Sequence, residues 1–500
     1  MAWGISPKKT AQVPLHGFGT DKYLAIVFNA FENLNWKVSY ADDKGLIAYT
    51  PISWESYSEQ ITVVIENEIA HIKSECVGYQ AFLYDYGKNE KNIELLITEI
   101  EYCAFHIQTD IEGNIQRFKD SFYQHPGINL SYTPLGAKDK FTHLGTIFIP
   151  RKNYQVVPVL IAVNCLVFIL QRIIFFAYVF ALNQKGVSDV KEKSTAFGKL
   201  LYGGIERNLV LNGEYWRLFT ACFSHGSVSH IFFNMIFLAY IGSIIEGRVG
   251  KWNFLGLYLM TGICASITSI GFRYEEMGVG ASGAIMGMFG VFLAYLSTNF
   301  FDAKARTAFL ISTVLISIIT LWPSGEGIDH AAHFGGFISG YIFGIFSYWA
   351  YTKAERSKRY FIRMVSYVLI LLAVSSWVFF MPKYDLEAYR KSKDKMMVDL
   401  NLISSYFYSS DYDTLTKVER IVLLETKMIP VIRKNEIVLK ELKNTPLPSE
   451  EEKNAKHFFK YYGNKLKIYE LLYKEFKTDH PAYRKKMQQL TDEIYEQEEE

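Results

Sequence analysis

The chain reads Gly278-Val279-Gly280-Ala281-Ser282-Gly283-Ala284-Ile285-Met286-Gly287 at the start of an apolar run that continues to about Tyr295. A serine between small residues at the beginning of a hydrophobic helix is unusual, because polar groups are costly in lipid and are usually functional there. Ser282 is therefore the first candidate for a functional residue. A nucleophilic serine also needs a base and donors for an oxyanion, and both have to come from elsewhere in the chain.

The charge and cysteine content argue against several classes of protein. Half of the 500 residues are hydrophobic, and the charged residues gather at both ends of the chain. The net charge is only +2, which does not indicate a nucleic-acid-binding protein. The five cysteines show no CxxC spacing, so we predict neither a zinc site nor a disulfide framework. Residues 1–20 are polar, which is not typical of a cleavable signal peptide.

Seven apolar runs in the middle of the chain are each long enough to cross a bilayer, which takes about 20 residues. They lie near 156–182, 227–246, 252–272, 281–300, 304–322, 329–351 and 362–380. The sequence therefore predicts a polytopic α-helical membrane protein in three parts. These are a soluble α+β domain over residues 1–150, a transmembrane domain over 151–382 and a soluble all-α domain over 383–500.

The two ends have the patterns of soluble domains. Residues 21–34 have the spacing of an amphipathic helix, and four short runs rich in Val, Ile, Tyr and Thr predict strands at 37–41, 46–50, 60–66 and 70–76. Helical spacing returns over residues 92–117, and 124–152 has the prolines of a linker. Residues 383–500 are polar and helix-prone, which predicts three to five packed helices.

Loop charges predict the orientation in the membrane. Lys and Arg gather in the connections after the second, fourth and sixth runs, whereas the alternate connections carry Glu275, Glu276, Glu326 and Asp329. Basic loops face the cytoplasm. We therefore expect a cytoplasmic N-terminus, and seven spans would leave the C-terminus outside. A bacterial inner membrane is the simplest location for such a protein.

A histidine on another span falls at the same predicted depth as Ser282. His333 lies near the outer start of the sixth run, and it shares one helical face with Gly336, Gly340 and Gly344. The fourth run offers Gly283, Gly287 and Gly290 on a comparable stripe. Small residues let membrane helices approach closely. The stripes alone would favour simple helix packing, but a stripe that carries His333 at the depth of a serine favours a Ser–His pair.

Other polar residues have roles that the sequence leaves more open. His230 and Asn234 are four residues apart on one face of the second run, so they are either oxyanion donors or a structural hydrogen-bonded pair. Trp216 and Arg217 fit an interfacial anchor. Arg172 must reach the interface or face the bundle, and an anchoring role is favoured. His225 is interpreted as structural or as a hydrogen-bonding residue on the solvent side, and His330 as a polar residue at the end of a loop. Asp329 is interpreted as a helix N-cap rather than a triad acid.

These residues resemble the rhomboid family of intramembrane serine proteases. The resemblance rests on Tyr215-Trp216-Arg217-Leu218, on residues 225–234, on Glu246 with Gly250, on Gly280-Ala281-Ser282-Gly283 and on residues 332–336, in the family's order. It covers roughly residues 156–350. It implies a rhomboid-like peptidase domain over residues 151–382, made of the six-helix core with one helix added at its C-terminal end. No metal or organic cofactor is implied.

The resemblance also implies roles for individual residues. Ser282 would be the nucleophile and His333 the general base, without an acidic third member. His230 and Asn234 would form the oxyanion hole with the Ser282 backbone N–H. Many rhomboids place an aromatic residue four positions after the serine, where this chain has Met286, so the packing against the histidine is expected to differ.

The predicted function is that of a serine endopeptidase that cleaves in or near transmembrane segments. Its expected partners are transmembrane protein substrates and the bilayer, with a homo-oligomer or a regulator as further candidates for the soluble domains. We expect the fifth run and the loop at 322–328 to move. The alternative is a catalytically inactive rhomboid-like protein that binds transmembrane helices, although such relatives lose the serine or histidine that this chain keeps. A transporter would show internal repeats and mid-span ionisable residues, which are not clear apart from Arg172.

Overall fold

The structure, a computed structural model, describes residues 7–52, 58–77, 85–106, 110–121, 144–274, 276–298, 310–311, 313–314, 317–318, 328–353, 355, 358–408 and 414–499. The chain divides into two compact units, Met1–Phe379 and Phe380–Glu500. Most of the predicted linker, most of the fifth apolar run and nearly all of the loop after it lie outside the described residues.

The first unit begins with an antiparallel sheet that helices cover on one face. Among the described residues the order of the strands is β1-β5-β4-β3-β2, with β1 (Lys8–Pro14), β2 (Lys37–Ala41), β3 (Gly45–Tyr49), β4 (Glu59–Glu66) and β5 (Ile69–Cys76). Alternate residues of these strands, such as Leu46, Ile61 and Ile72, are buried with the helices α1 (Thr20–Asn33), α2 (Lys88–His106) and α3 (Ile111–Ser121). This confirms the predicted α+β class.

Two features of this domain differ from the prediction. The polar residues of β1 form an additional edge strand that pairs with β5, from Lys8 opposite Glu75 to Pro14 opposite Ile69. The helix predicted over residues 92–117 is two helices, since α2 ends at His106 and α3 begins at Ile111. The Asp110 carboxylate accepts a hydrogen bond from the Gly113 N–H at 3.2 Å, which caps the start of α3.

The other described elements of the first unit are mainly helices. Its helices are α4 (Val156–Gln184), α5 (Val190–Tyr202), α6 (Arg207–Leu211), α7 (Arg217–Thr220), α8 (Val228–Val249), α9 (Lys251–Phe272), α10 (Ser282–Leu296), α11 (His330–Lys353) and α12 (Arg359–Phe380). Four described helices are long and apolar enough to cross a membrane, namely α4, α8, α9 and α12. Helix α10 is apolar but shorter. The chain is thus a helical membrane protein, while the number of seven spans stays a prediction.

Helix α10 lies at the centre of this helical part. Nearly all of its residues are buried, and it packs against α8, α9 and α11. Its closest neighbour is α11, so the two helices that carry Ser282 and His333 share the most extensive pairing among the described elements. This packing positions the candidate site at the N-terminal ends of α10 and α11.

The second unit consists of helices among its described residues. They are α13 (Leu386–Tyr408), α14 (Lys417–Leu423), a π-helical turn (Leu424–Met428), α15 (Ile429–Lys443), α16 (Ser449–Thr478) and α17 (Ala482–Glu499). Its core holds Met396, Ile403, Met428 and Tyr462. The buried Tyr462 hydroxyl donates a hydrogen bond to the Met396 carbonyl at 2.7 Å, so even the polar atom of this core tyrosine has a partner.

Candidate active site

Ser282 and His333 are in direct contact. His333 Nε2 lies 2.8 Å from Ser282 Oγ, a hydrogen-bond distance. Ser282 is the first residue of α10, and His333 is in the first turn of α11 and is 9% exposed. A serine hydroxyl beside an unprotonated imidazole nitrogen can transfer its proton to that nitrogen, which is the arrangement of an activated nucleophile.

Glycine makes this contact possible, as the stripes suggested, except that Gly283 and Gly287 face another helix. A Cβ on Gly336 would lie 2.0 Å from the Gly283 carbonyl oxygen, and one on Gly340 would lie 1.9 Å from the Gly287 carbonyl oxygen. On the opposite helix, a Cβ on Gly283 or Gly287 would instead meet Ala265 and Thr261 of α9. The glycines of α11 therefore bring α10 close, while Gly283 and Gly287 bring α9 close.

Backbone hydrogen bonds hold the segment that leads into Ser282. Gly278 exchanges two hydrogen bonds of 2.8 Å with Ile205, and the Gly280 N–H donates to the Ala221 carbonyl at 2.9 Å. The Ala281 N–H donates to His225 Nε2 at 3.4 Å. Gly280 has a φ of +133°, which side-chain-bearing residues rarely adopt. A Cβ there would lie 2.8 Å from the His230 ring, so glycine lets this ring approach Ser282.

The first turns of α8 carry the two candidate oxyanion donors. The Ser227 hydroxyl caps the helix by accepting a hydrogen bond from the His230 N–H at 3.1 Å. Asn234 is 7% exposed, and its Nδ2 is buried without a hydrogen-bond partner among the described residues. A buried amide donor without a partner is uncommon and calls for an explanation. An oxygen atom of a bound substrate would supply the missing acceptor.

A cavity of about 670 Å³ joins these residues. Ser282, His333, His230 and Asn234 all line it, and its apolar wall includes Phe233, Phe237, Ile285, Met286 and Phe289. Met286, at the position where many rhomboids have an aromatic residue, is 3% exposed. An apolar cavity with a few converging polar groups is the usual form of a substrate-binding site.

Asp329 has the structural role that its position predicted. Its Oδ1 accepts a hydrogen bond from the Ala332 N–H at 2.9 Å and so caps α11. Its Oδ2 accepts from the Ser269 hydroxyl at 2.5 Å and lies 3.0 Å from Arg273 Nη1. These contacts join the start of α11 to the end of α9, which fixes the turn that carries His333.

The structure places Trp216 and Arg217 differently from each other. Trp216 is 46% exposed, as an interfacial anchor would be, whereas the Arg217 side chain is 2% exposed. The Arg217 guanidinium binds the Glu214 carboxylate at 2.7 Å and the Lys199 and Gly204 carbonyl oxygens at 3.0 Å. Arg217 therefore holds together the connection between α4 and α8, and this role could not be read from the sequence.

Arg172 has the second of the two orientations that the sequence left open. Its Nη2 donates to the carbonyl oxygens of His225 and Gly226, so it faces the bundle. Glu246 is a further structural residue whose partners sequence reasoning missed, because they are backbone N–H groups about 90 residues away. Within the described ranges, no group of three or more His, Cys, Asp or Glu residues is placed to hold a metal ion.

Comparison with known proteins gives a family for the part of the chain that contains the site. The family model for the rhomboid domain matches residues 212–350, which run from the end of α6 through α11 and include all four candidate site residues. Residues 212–350 are thus a rhomboid domain. RHOMBOID-like protein 5 of Arabidopsis thaliana is 36% identical over 145 residues, 28% of this chain and 47% of that protein.

Two further rhomboid relatives extend the match. Rhomboid protease GluP of Bacillus subtilis is 36% identical over 182 residues, 35% of this chain and 33% of that protein. RHOMBOID-like protein 2 of Arabidopsis thaliana is 33% identical over 182 residues, 34% of this chain and 57% of that protein. The matched part thus spans between one third and less than two thirds of the length of these relatives. The rhomboid domain is shared, and the N-terminal and C-terminal parts of the chain lie outside the family model.

Proposed function

We propose that this rhomboid family member is a serine endopeptidase that hydrolyses peptide bonds in or near transmembrane segments. The observation that carries the proposal is the 2.8 Å contact between Ser282 Oγ and His333 Nε2 beside an apolar cavity. A protein that only binds transmembrane helices would have no need of a base within hydrogen-bond distance of this serine. The name of one relative, Rhomboid protease GluP, agrees with the proposal.

The proposed reaction uses the two residues in turn. His333 Nε2 takes the proton of the Ser282 hydroxyl as Oγ attacks the carbonyl carbon of the scissile bond. The same histidine then donates this proton to the leaving amine, which leaves an ester between Ser282 and the N-terminal part of the substrate. Water attacks this ester and gives its proton to His333. The Ser282 hydroxyl and a free carboxylate are then restored.

The charge that develops on the substrate oxygen needs donors. We propose that Asn234 Nδ2, His230 and the Ser282 backbone N–H supply them. Asn234 is suited to this role because its buried amide has no other partner among the described residues. The free N–H groups at the start of α10 add a positive potential at the same place. Donors fixed in advance in a cavity of low polarity stabilise such an oxyanion most strongly.

We further propose that the substrates are transmembrane proteins whose helices open readily at the cleaved bond. A peptide carbonyl inside a helix is hydrogen-bonded and shielded, so the segment must unwind before Ser282 can reach it. The expected orientation places the site near the outer face, with the N-terminus in the cytoplasm and the C-terminus outside. We also propose a bacterial inner membrane as the location of the protein. A homo-oligomer or a regulator, bound through the soluble ends, is proposed as a further partner.

The test is cleavage of a model transmembrane substrate by purified protein in liposomes. We expect Ser282→Ala and His333→Ala to lower kcat by about 10³-fold or more, as in other serine hydrolases. Ser297→Ala, at the opposite end of α10, is the matched control and should behave as wild type. Equal cleavage by wild type and Ser282→Ala would show that the nucleophile is assigned wrongly. Binding without cleavage by wild type would favour the non-catalytic alternative.

A further inference from the structure

Helix α4 carries a partly buried arginine whose guanidinium binds another segment of the protein. Arg172 Nη2 donates a hydrogen bond to the His225 carbonyl oxygen at 3.2 Å and another to the Gly226 carbonyl oxygen. The guanidinium lies 5.0 Å from the Phe168 ring centroid and 5.3 Å from that of Tyr202. Two carbonyl acceptors and two aromatic rings thus fix its position.

The segment that Arg172 holds has no regular structure of its own. Residues 224–226 connect a 3₁₀ turn to Ser227, the N-cap of α8, so their carbonyl oxygens lack helix partners. Backbone carbonyls at membrane depth need donors, and a guanidinium can bind two at once. The preceding residue of α4 binds the same segment, since Gln171 Nε2 donates to the Ser224 hydroxyl at 2.8 Å.

This segment reaches the candidate site on two sides. The His225 ring accepts the N–H of Ala281, the residue before the proposed nucleophile, at 3.4 Å. The next residues, Gly226 and Ser227, line the cavity beside His230, and Ser227 caps the turn that carries His230. The His225 and His230 rings also pack edge to face at 5.1 Å. A shift of residues 225–226 would therefore displace both His230 and the backbone next to Ser282.

We propose that Arg172 is a positioning residue for the oxyanion site. By binding the His225 and Gly226 carbonyl oxygens, it holds His230 and the Ala281–Ser282 backbone in the geometry that the transition state requires. This inference rests on the proposed function. A positioning residue differs from a residue that only anchors the helix in the membrane. An anchor would affect how much protein inserts and folds, but not how fast each folded molecule reacts.

The experiment compares Arg172→Met and Arg172→Lys with Ile173→Met, a neighbouring control whose native side chain is 59% exposed. Each protein is reconstituted in liposomes, its active sites are titrated with a fluorophosphonate, and kcat per titrated site and KM are measured on a transmembrane substrate. We expect Arg172→Met to lower kcat by about 10- to 100-fold with KM changed by less than about twofold. Arg172→Lys should lower kcat by less, because an ammonium keeps the positive charge but lacks the planar guanidinium that can bind two carbonyl oxygens.

Several results would overturn the inference. One is an unchanged kcat per titrated site in Arg172→Met, even with a lower yield of folded protein, and another is a change confined to KM. If Arg172→Met does not fold, Arg172→Lys decides, and a wild-type kcat in that variant counts against the inference. Wild type that neither cleaves the substrate nor reacts with the fluorophosphonate would instead overturn the proposed function, and this inference with it.

Discussion

Two backbone carbonyl oxygens set the distance between Ser282 and His333. A Cβ atom on Gly336 would lie 2.0 Å from the Gly283 carbonyl oxygen of α10, and one on Gly340 would lie 1.9 Å from the Gly287 carbonyl oxygen. Because both obstacles are backbone atoms, a side chain at either position would force the helices apart rather than displace a flexible group. A small increase in helix separation would break the 2.8 Å contact on which the proposed chemistry depends.

Gly336→Ala and Gly340→Ala should therefore lower both stability and activity. We expect a loss of about 1–3 kcal/mol in the free energy of unfolding, the usual cost of overpacking a tight interface. The matched control is Gly256→Ala in α9, where a Cβ would meet nothing within 4 Å. It should leave stability unchanged or raise it by up to about 1 kcal/mol, since alanine is the better helix former. Thermal unfolding in detergent and the cleavage rate measure both effects, and equal melting temperatures for the three variants would contradict the account.

How far the site could be predicted depends on the range of the forces that build it. The grouping of four polar residues could be predicted, because spacing along apolar helices sets both the face and the depth of a side chain. These residues are Ser282, His333, His230 and Asn234. The partners of Arg172 and Arg217 could not be predicted, because they are carbonyls of connecting segments whose path only the packed structure determines. The facing of Gly283 toward α9 was missed for the same reason.

At the scale of an element, the start of α4 is stabilised by a residue of another helix. Glu246 of α8 is 1% exposed, and its carboxylate accepts hydrogen bonds from the N–H groups of Gln155, Val156 and Val157 at 2.6, 2.8 and 3.0 Å. The first N–H groups of a helix have no partner within it, and a negative charge there also interacts favourably with the helix dipole. Glu246 thus joins α4 to α8.

Glu246→Ala should destabilise the first unit by about 2–3 kcal/mol, because it removes charged hydrogen bonds and leaves buried N–H groups unsatisfied. Glu246→Gln should cost less, since the amide oxygen can still accept. The control is Glu355→Ala, a side chain that is 74% exposed and pairs only with Lys358 on the surface among its described contacts. It should change stability by less than about 0.5 kcal/mol. Unfolding in detergent gives the comparison, and similar losses for Glu246→Ala and Glu355→Ala would contradict the capping role.

Two buried thiols of the N-terminal domain, Cys76 of β5 and Cys103 of α2, should make its stability depend on pH. Burial raises the pKa of the Cys76 thiol to about 12 and that of Cys103 to about 11, from a usual value of 9.0. The folded domain therefore keeps both thiols protonated at pH 9–10, and its stability should fall as pH rises above 9, where the unfolded chain loses these protons first. We expect neither residue to react with iodoacetamide at pH 8 until the protein is unfolded, as measured by peptide mapping. Rapid labelling of Cys76 in the folded protein would refute this.

At the scale of the whole first unit, the candidate site and the N-terminal domain lie at opposite ends of α8. His230 and Glu246 are 16 residues apart, which is about 24 Å along a helix. The chain enters α4 at the Glu246 end, and Tyr49 of β3 is close enough to Arg248 there for an electrostatic interaction. Ile47 and Tyr49 are buried with residues of α8 in one hydrophobic cluster. The hydropathy of the sequence predicted the helices, but not this burial, because an alternating strand does not reveal what covers its second face.

The contact between the ends of α9 and α12 shows in which direction α12 runs. Near the candidate site, Phe272 at the end of α9 packs against Trp377 near the end of α12, with ring centroids 6.1 Å apart. Helix α12 therefore finishes at the level of Arg273, whose side chain lines the cavity. This direction agrees with the proposed orientation, and it does not depend on the fifth apolar run.

Cysteine labelling from one side of the membrane tests the orientation. We expect a membrane-impermeant maleimide to label Glu276→Cys beside the cavity and Glu450→Cys in the second unit on intact cells, because both would face outward. Asp43→Cys, in the exposed turn between β2 and β3, should react only after permeabilisation. The unsubstituted protein is the control for the native cysteines. Labelling of Asp43→Cys on intact cells would place the N-terminal domain outside, and protection of Glu276→Cys alone would place the serine on the cytoplasmic side.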